Sequence, residues 1–359
     1  SAASDVYKRQ LQGIAEIIKL RKAKGFPNLW RIIKMGKKGE IVSFRPEIKV
    51  LDATIRDGGL VNNFYFTDDF VRDLYKTNIK AGVDYMEFGY RASKELFDVD
   101  KFGKWKFCDE EDIRNIVGEN DSDMKISVMA DVGRTDFKKD IIDRKDSVVD
   151  MYRIATYLNT IPSAIEMIEY CHNKGYETTV NIMAISNANT ADLDIALDIL
   201  GRSCVDGIYI VDSYGSLYPE QTAAISERYL EVGDKYGKQI GMHAHNNQQL
   251  AFANTIEALS LGVNYLDATV SGMGRGAGNC YMELLLGFLK NPKYNLIPLL
   301  DFIEGHIQKL RDDGVVWGYD VPYLLTGRLN KHPRSAIEFI KEHKTGYSNM
   351  YLELLENNI

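Results

Sequence analysis

Cysteine is scarce in this chain. Its 359 residues include four, Cys108, Cys171, Cys204 and Cys280, far apart and without CxxC spacing. That spacing argues against a zinc knuckle or a disulfide scaffold and predicts a reduced, cytoplasmic setting. Long hydrophobic runs are lacking as well. No stretch approaches the ~20 apolar residues that span a bilayer, and Ser1 to Gln10 carries nothing like the hydrophobic core of a signal peptide. Low-complexity tracts and solenoid repeats are also absent. What is present, 45% hydrophobic and 26% charged residues, is the balance of an ordinary globular protein. The length suits two average domains, or one barrel of roughly 250 residues with appendages.

Charge is unevenly spread. Residues 1–49 hold twelve Lys/Arg against four Asp/Glu, whereas the whole chain is −7. A basic arm on an acidic body could meet nucleic acid, an anionic membrane or a phosphorylated carrier, or pack on its own body or a neighbouring subunit. Ile14, Ile17, Ile18 and Leu20 suggest one short helix face, and Trp30, Ile32 and Ile33 another. No nucleic-acid-reading motif is present, so neither nucleic acid nor membrane is expected as a partner.

From Val50 a rhythm sets in. Eight apolar or β-branched runs recur: Val50–Thr54, Tyr85–Tyr90, Lys125–Ala130, Met151–Thr156, Thr178–Ile185, Gly207–Asp212, Gln239–Ala244 and Tyr265–Val270. Amphipathic stretches lie between them, such as Asp68–Ala81, Thr160–Lys174, Asn189–Leu200, Pro219–Tyr236 and Gln248–Leu261. Thr67 and Asn189 are candidate caps, and Gly82, Gly175 and Gly262 candidate helix ends. Eight strand–helix units predict an α/β fold, a closed (β/α)8 TIM barrel over 50–290, preceded by a basic extension over 1–49. The remainder, 291–359, reads as a small helical cap or assembly surface, clearest at Pro298–Arg311 and Arg334–Glu342. The longest interval holds Arg91–Asn120, expected as an extended loop, either a lid or a surface insertion.

In such a barrel chemistry belongs at the C-terminal ends of the strands. Four polar clusters fall there. Asp52-Ala53-Thr54-Ile55-Arg56-Asp57-Gly58-Gly59 follows the first strand, and His243-Ala244-His245-Asn246-Asn247 the seventh. Alternation along a strand turns His243 and His245 to one side, so both can grip one metal ion, with Asp57 supplying a carboxylate. Ser271-Gly272-Met273-Gly274-Arg275-Gly276-Ala277-Gly278-Asn279 follows the eighth strand; its glycines permit close approach of backbone, and Asn279 could ligate the ion or hold a ligand. Val211-Asp212-Ser213 ends the sixth, where Asp212 could touch substrate, support a histidine or cap a helix. The match of Gly272, Gly274 and Ala277 to a dinucleotide fingerprint is weak, because that motif opens a Rossmann domain rather than closing a last strand.

These four motifs, in this order from about Val50 to Asn279, resemble the DRE-TIM metallolyase superfamily. The resemblance implies Asp57, His243 and His245 as metal ligands, Asn279 as a further one, and Arg56 as the group that stabilises an enolate. Claisen synthases of this superfamily carry GxGERxGN near the last strand. The turn here is closer to the GLGAGAGN of the 4-hydroxy-2-oxovalerate aldolase branch, with arginine in place of one alanine. Val211-Asp212-Ser213 likewise resembles that branch's VVDSAG. The implied activity is a metal-dependent carbon–carbon lyase making or breaking the bond next to a 2-oxo acid. Arg56 and Asp57 are the expected catalytic pair, with Arg56, Glu87, Arg153, Asp212, Ser213, Gly274 and Arg275 as substrate contacts.

One departure stands out. The branch places a histidine, its proposed general base, two residues beyond Arg-Asp-Gly, where this chain has Leu60. Candidate replacements are Tyr65, Tyr90, Tyr157, Tyr319, His332 or a metal-bound water. Nitrogen and hard-oxygen donors without thiolate suit Mn²⁺, Mg²⁺ or Co²⁺. A homodimer or higher homo-oligomer is expected; pairing with an acylating dehydrogenase, known in the branch, is open. Rival readings are a Claisen-type acyltransferase joining an acyl-CoA to a 2-oxo acid, a two-histidine, one-carboxylate iron oxygenase, and a non-catalytic binding protein.

Overall fold

The computed structural model describes Ser43 and residues 45–356. The two expected helix faces of the basic arm lie outside the described residues. Residues from Pro46 onward form one compact unit. Within it eight parallel strands close into a barrel: β1 (Lys49–Asp52), β2 (Tyr85–Tyr90), β3 (Lys125–Asp131), β4 (Met151–Thr156), β5 (Glu177–Ile182), β6 (Gly207–Asp212), β7 (Gln239–Ala244) and β8 (Tyr265–Ala268). Closure comes from β8 returning to β1, with Leu51 opposite Asp267 and Asp52 opposite Ala268. The expected (β/α)8 barrel is therefore the fold.

Most helices form where apolar spacing and caps place them. α1 (Thr54–Asn62) is followed by α2 (Asp68–Ala81), which buries Phe70, Val71, Leu74 and Tyr75. The Thr67 hydroxyl accepts from the Phe70 N–H, and Gly82, at φ 77°, ends the helix in the left-handed region that side chains avoid. Asn189 caps the helix Thr190–Arg202 in the same way.

The boundaries that differ do so for local reasons. β1 stops at Asp52, because the Asp52 carboxylate captures both the backbone N–H and the hydroxyl of Thr54, and Thr54 opens α1. The helix after β7 begins at Ala251 rather than at the expected Gln248, since Gln249 sits at φ 59°. The fifth strand ends at Ile182, two residues before Ala184 at φ 54°. Arg91–Asn120 is less open than expected: it contains a 3-10 turn, Lys104–Lys106, and the helix Glu110–Val117. C-terminal helices follow β8, and the expected segment from Pro298 to Arg311 is interrupted by a π turn at Ile303–Ile307.

The barrel interior is layered. Leu51, Tyr85 and Met151 pack at the bottom with Tyr265. Above them Arg153 lies 4.4 Å over the Tyr209 ring. Gly241 makes room for that ring, since a Cβ there would stand 2.5 Å from it. The middle layer is ionic and carries the site above it.

Capping gives a test of the outer ring. Thr67→Ala removes one acceptor at a helix start and should cost about 1 kcal/mol, read as a lower urea midpoint. An unchanged midpoint would show that α2 is held by packing alone.

Candidate metal centre and active-site pocket

Arg56 and Asp57 ride on the first turns of α1, not on a loop, so their positions are fixed by a hydrogen-bonded element. Gly58 and Gly59 are part of the reason α1 fits: a Cβ on Gly58 would stand 2.9 Å from the Met273 sulfur, and one on Gly59 2.1 Å from the Phe64 ring. His243 and His245, on and just past β7, turn to the same side and meet Asp57. His243 Nε2 lies 3.1 Å and His245 Nε2 3.7 Å from Asp57 Oδ2. All three residues are buried, and one donor atom from each lies within 4.8 Å of the others.

Beneath them runs a chain of ion pairs. Arg56 Nε donates to Glu87 Oε2 at 2.8 Å, and Arg153 Nη1 to the same oxygen at 3.0 Å. Arg153 also pairs with Asp267, whose carboxylate faces His243 Nδ1 at 2.9 Å. Asp267 thus accepts the Nδ1 proton and leaves Nε2 pointed at Asp57. This carboxylate–histidine arrangement orients a metal-ligating imidazole.

The protonation states follow from this network. Burial pushes the Asp57 carboxyl up, but Arg56 and both histidines outweigh it and hold it well below the ordinary range. Burial holds His245 neutral, pushed down to about 3. His243 is also pushed down by burial, yet its bonds to Asp267 and Asp57 raise it above its usual value. A proton on His243 Nε2 would lie toward Asp57, where a cation would also sit.

Three observations fit a divalent cation there. Asp57 Oδ1 and Asn279 Oδ1 are buried oxygens with no hydrogen-bond partner among the described residues. Two arginines face three carboxylates (Asp57, Glu87, Asp267), which leaves one negative charge uncompensated while both imidazoles are neutral. Finally, metal–ligand bonds of ~2.0–2.2 Å set adjacent donors about 3 Å apart, close to the His243–Asp57 separation. Asn279 is held beside His245 because the glycine-rich turn is zipped onto the end of β7: Asn246 N–H donates to Gly278 O at 2.8 Å and Cys280 N–H to Ala244 O at 3.2 Å. Gly274 has to be glycine, since its Cβ would stand 2.1 Å from Asn279 Nδ2.

A small cavity of about 70 Å³ opens over these groups, lined by Arg56, Asp57, His243, His245, Ser213 and Arg275. Leu60, Met129, Ala155, Met183 and Val211 form its apolar wall, and Tyr90 and Asn181 complete it. Five of the residues expected at the site thus share its lining with Ser213. Asn279 stands beside them and Gly274 backs Asn279.

Three expected substrate contacts sit elsewhere. Glu87 and Arg153 are wholly buried in the ionic layer and do not line the cavity. Asp212 accepts from Ser216 N–H at 2.9 Å and Leu217 N–H at 3.2 Å, fixing the turn that leads to the next helix. Among the proposed bases Tyr90 alone lines the cavity, and burial raises its phenol, so it carries its proton at neutral pH. Tyr65, Tyr157 and Tyr319 are exposed, and His332 pairs with Arg275. Asp267 was missed by the sequence reading. The available signal was a carboxylate inside the otherwise apolar run of β8.

Comparison with known proteins agrees with this geometry. A family model described as HMGL-like matches residues 47–301. An oxaloacetate decarboxylase from Mycobacterium tuberculosis is 30% identical over 245 residues, 67% of this chain and 69% of that protein. A 4-hydroxy-2-oxovalerate aldolase from Roseiflexus castenholzii is 29% identical over 269 residues, 71% of this chain and 76% of its own length. Among solved structures, the N-terminal domain of a candidate aldolase from Bacteroides vulgatus superposes with a TM-score of 0.70 at 29% identity, covering 82% of this chain and 96% of that one.

The metal site makes a graded prediction. Asp57→Ala should abolish Mn²⁺ binding measured by calorimetry, whereas Asp267→Asn should weaken it ~10–100-fold by releasing His243. Wild-type affinity in Asp267→Asn would mean that the carboxylate does not orient the imidazole.

Proposed function

Because the chain belongs to the HMGL-like (DRE-TIM) family of metal-dependent lyases and aldolases, we propose that it cleaves or forms the carbon–carbon bond next to a 2-oxo acid through a pyruvate-type enolate, as 4-hydroxy-2-oxovalerate aldolase does. The observation that carries this reading is the set of inward-facing donors on Asp57, His243 and His245, with Asn279 beside them and an arginine at the same cavity.

When bound, a divalent cation such as Mn²⁺ or Mg²⁺ supplies Lewis acidity toward the carboxylate and keto oxygens of the 2-oxo acid. Asp57, His243 and His245 would hold it, with Asn279 as a further oxygen donor. Arg56 has Nε committed to Glu87 and Nη1 to Asp57. Its Nη2 makes no protein hydrogen bond among the described residues and is free to donate to the oxygen that gains charge as the bond breaks. Glu87 and Arg153 hold Arg56 in place from below. The apolar wall keeps water from the enolate carbon, and Tyr90, kept protonated by burial, can return a proton to it.

The cavity lacks a spare base. Its imidazoles and its carboxylate are the groups that would hold the ion, and Leu60 fills the place where the aldolase branch has histidine. That favours a second reading, a cleavage with no hydroxyl proton to remove: decarboxylation of a 2-oxo acid carrying a carboxylate on the neighbouring carbon.

Enolate formation can be tested without the second substrate. The Mn²⁺-loaded protein should exchange the methyl protons of pyruvate in D₂O, and Arg56→Met should slow that exchange ~10²–10³-fold. No exchange above the rate with free Mn²⁺ would remove the reading. Carbon dioxide release from oxaloacetate and aldehyde release from 4-hydroxy-2-oxo acids separate the two versions. Leu60→His should accelerate aldehyde release by ~10²-fold.

A further inference from the structure

Arginines in the barrel interior are matched to carboxylates. Arg56 pairs with Glu87 and Asp57, and Arg153 with Glu87 and Asp267. Arg275 breaks the pattern. It lines the same cavity, yet no carboxylate among the described residues pairs with it. Its Nη2 reaches the Ser213 carbonyl at 3.3 Å and its Nη1 the His332 Nε2 at 3.3 Å, both long for charged donors. Its Nε is buried and has no hydrogen-bond partner among the described residues. Arg275 is partly exposed, so the unreturned loss of water falls on its buried Nε, and an anion entering the cavity would restore the balance there.

Its surroundings strengthen the point. His332 stands exposed at the rim beside it, and desolvation together with the charges of Arg275 and Arg334 pushes its imidazole down to about 4. His332 is therefore neutral, and the positive charge on this side of the cavity is that of Arg275. This side is also well anchored: Asn330, two residues before His332, exchanges hydrogen bonds with Ser186, whose Oγ lies 2.6 Å from Asn330 Oδ1 and whose carbonyl accepts from Asn330 Nδ2 at 2.9 Å. Arg275 itself is flanked by Gly274 and by Gly276 at φ 64°, a turn that carries it to the cavity without a bulky neighbour.

We propose that Arg275 binds a second carboxylate of the substrate, so that the substrate is a 2-oxo dicarboxylic acid whose distal carboxylate lies on the Arg275 side and whose 2-oxo acid head lies on the Asp57 side. This rests on the lyase reading above. It also selects between that reading's two versions. An arginine on a carboxylate that departs as carbon dioxide would stabilise the ground state and lose its contact as the bond breaks. The carboxylate on Arg275 is therefore one that stays with its carbon chain, on the half released as a carbonyl compound, and with no spare base in the cavity the hydroxyl proton lost in that cleavage would pass to a solvent water.

The test compares ligands of equal length that differ only in the distal group. 2-Oxoglutarate and 2-oxoadipate would be titrated into the Mn²⁺-loaded full chain against 2-oxopentanoate and 2-oxohexanoate, with Kd read by calorimetry. The better dicarboxylate should bind about ten-fold or more tightly than its methyl-ended counterpart, the ratio that one charge-assisted hydrogen-bonded pair supplies. That ratio should fall to near unity in Arg275→Ala and survive in part in Arg275→Lys. Equal affinities in the wild type, or an undiminished ratio in Arg275→Ala, would overturn the proposal. Pyruvate proton exchange by the wild-type protein tells the two failures apart. Exchange with no dicarboxylate preference rejects the Arg275 site alone, and no exchange rejects the lyase reading and the site with it.

Discussion

One carboxylate oxygen, Asp57 Oδ2, is shared by two imidazoles and a guanidinium at a place water does not reach. A buried charge of this kind persists only when every neighbour is itself held, because its desolvation is offset by close partners rather than by solvent. The ion-pair chain beneath it does the holding. Glu87 joins Arg56 to Arg153, Asp267 joins Arg153 to His243, and the Tyr209 ring supports Arg153 from one side. Each strand of the barrel that contributes to this chain is thereby tied to the ones that carry the metal donors.

The same arrangement explains why the layer is left one positive charge short. With both imidazoles neutral, the three carboxylates outnumber the two arginines. A proton on His243 would restore neutrality, whereas a divalent cation between Asp57 and the histidines would bring the layer to one positive charge, which an anionic ligand would balance. On the proposed reading, a cation bound there would take the place of that proton. The donor geometry of the site is set before the ion arrives, which reduces the reorganisation that binding would otherwise need.

Family chemistry and individual specificity separate along the barrel axis. The donors and Arg56 stand on α1 and β7, braced from inside. Leu60, farther along α1, and Ser213 and Arg275, on turns past β6 and β8, line the cavity above, where a substitution changes what the cavity accepts without disturbing the ionic layer. Arg275 belongs to a glycine-rich turn whose backbone is committed to β7, so its side chain is the variable part of a fixed loop.

The sequence by itself determined the barrel, the order of its strands and the pair of histidines on one face. Those follow from periodicities of two and 3.6 residues and from the motif at each strand end. Caps such as Thr67 and Asn189 were legible for the same reason: they act within three residues of themselves. Tertiary structure alone decided which polar residues meet. Glu87, Arg153 and Asp267 come from three different strands, and their pairing depends on how far each strand is shifted against its neighbours in the closed barrel. That shift placed Glu87 and Arg153 below the cavity instead of in its wall, and brought Asp267 behind His243. It also left Asp212 bonded to its own turn. Asp57 and His243, which meet at the site, are 186 residues apart in the chain. No local pattern encodes such a distance; only the closure of β8 on β1 does.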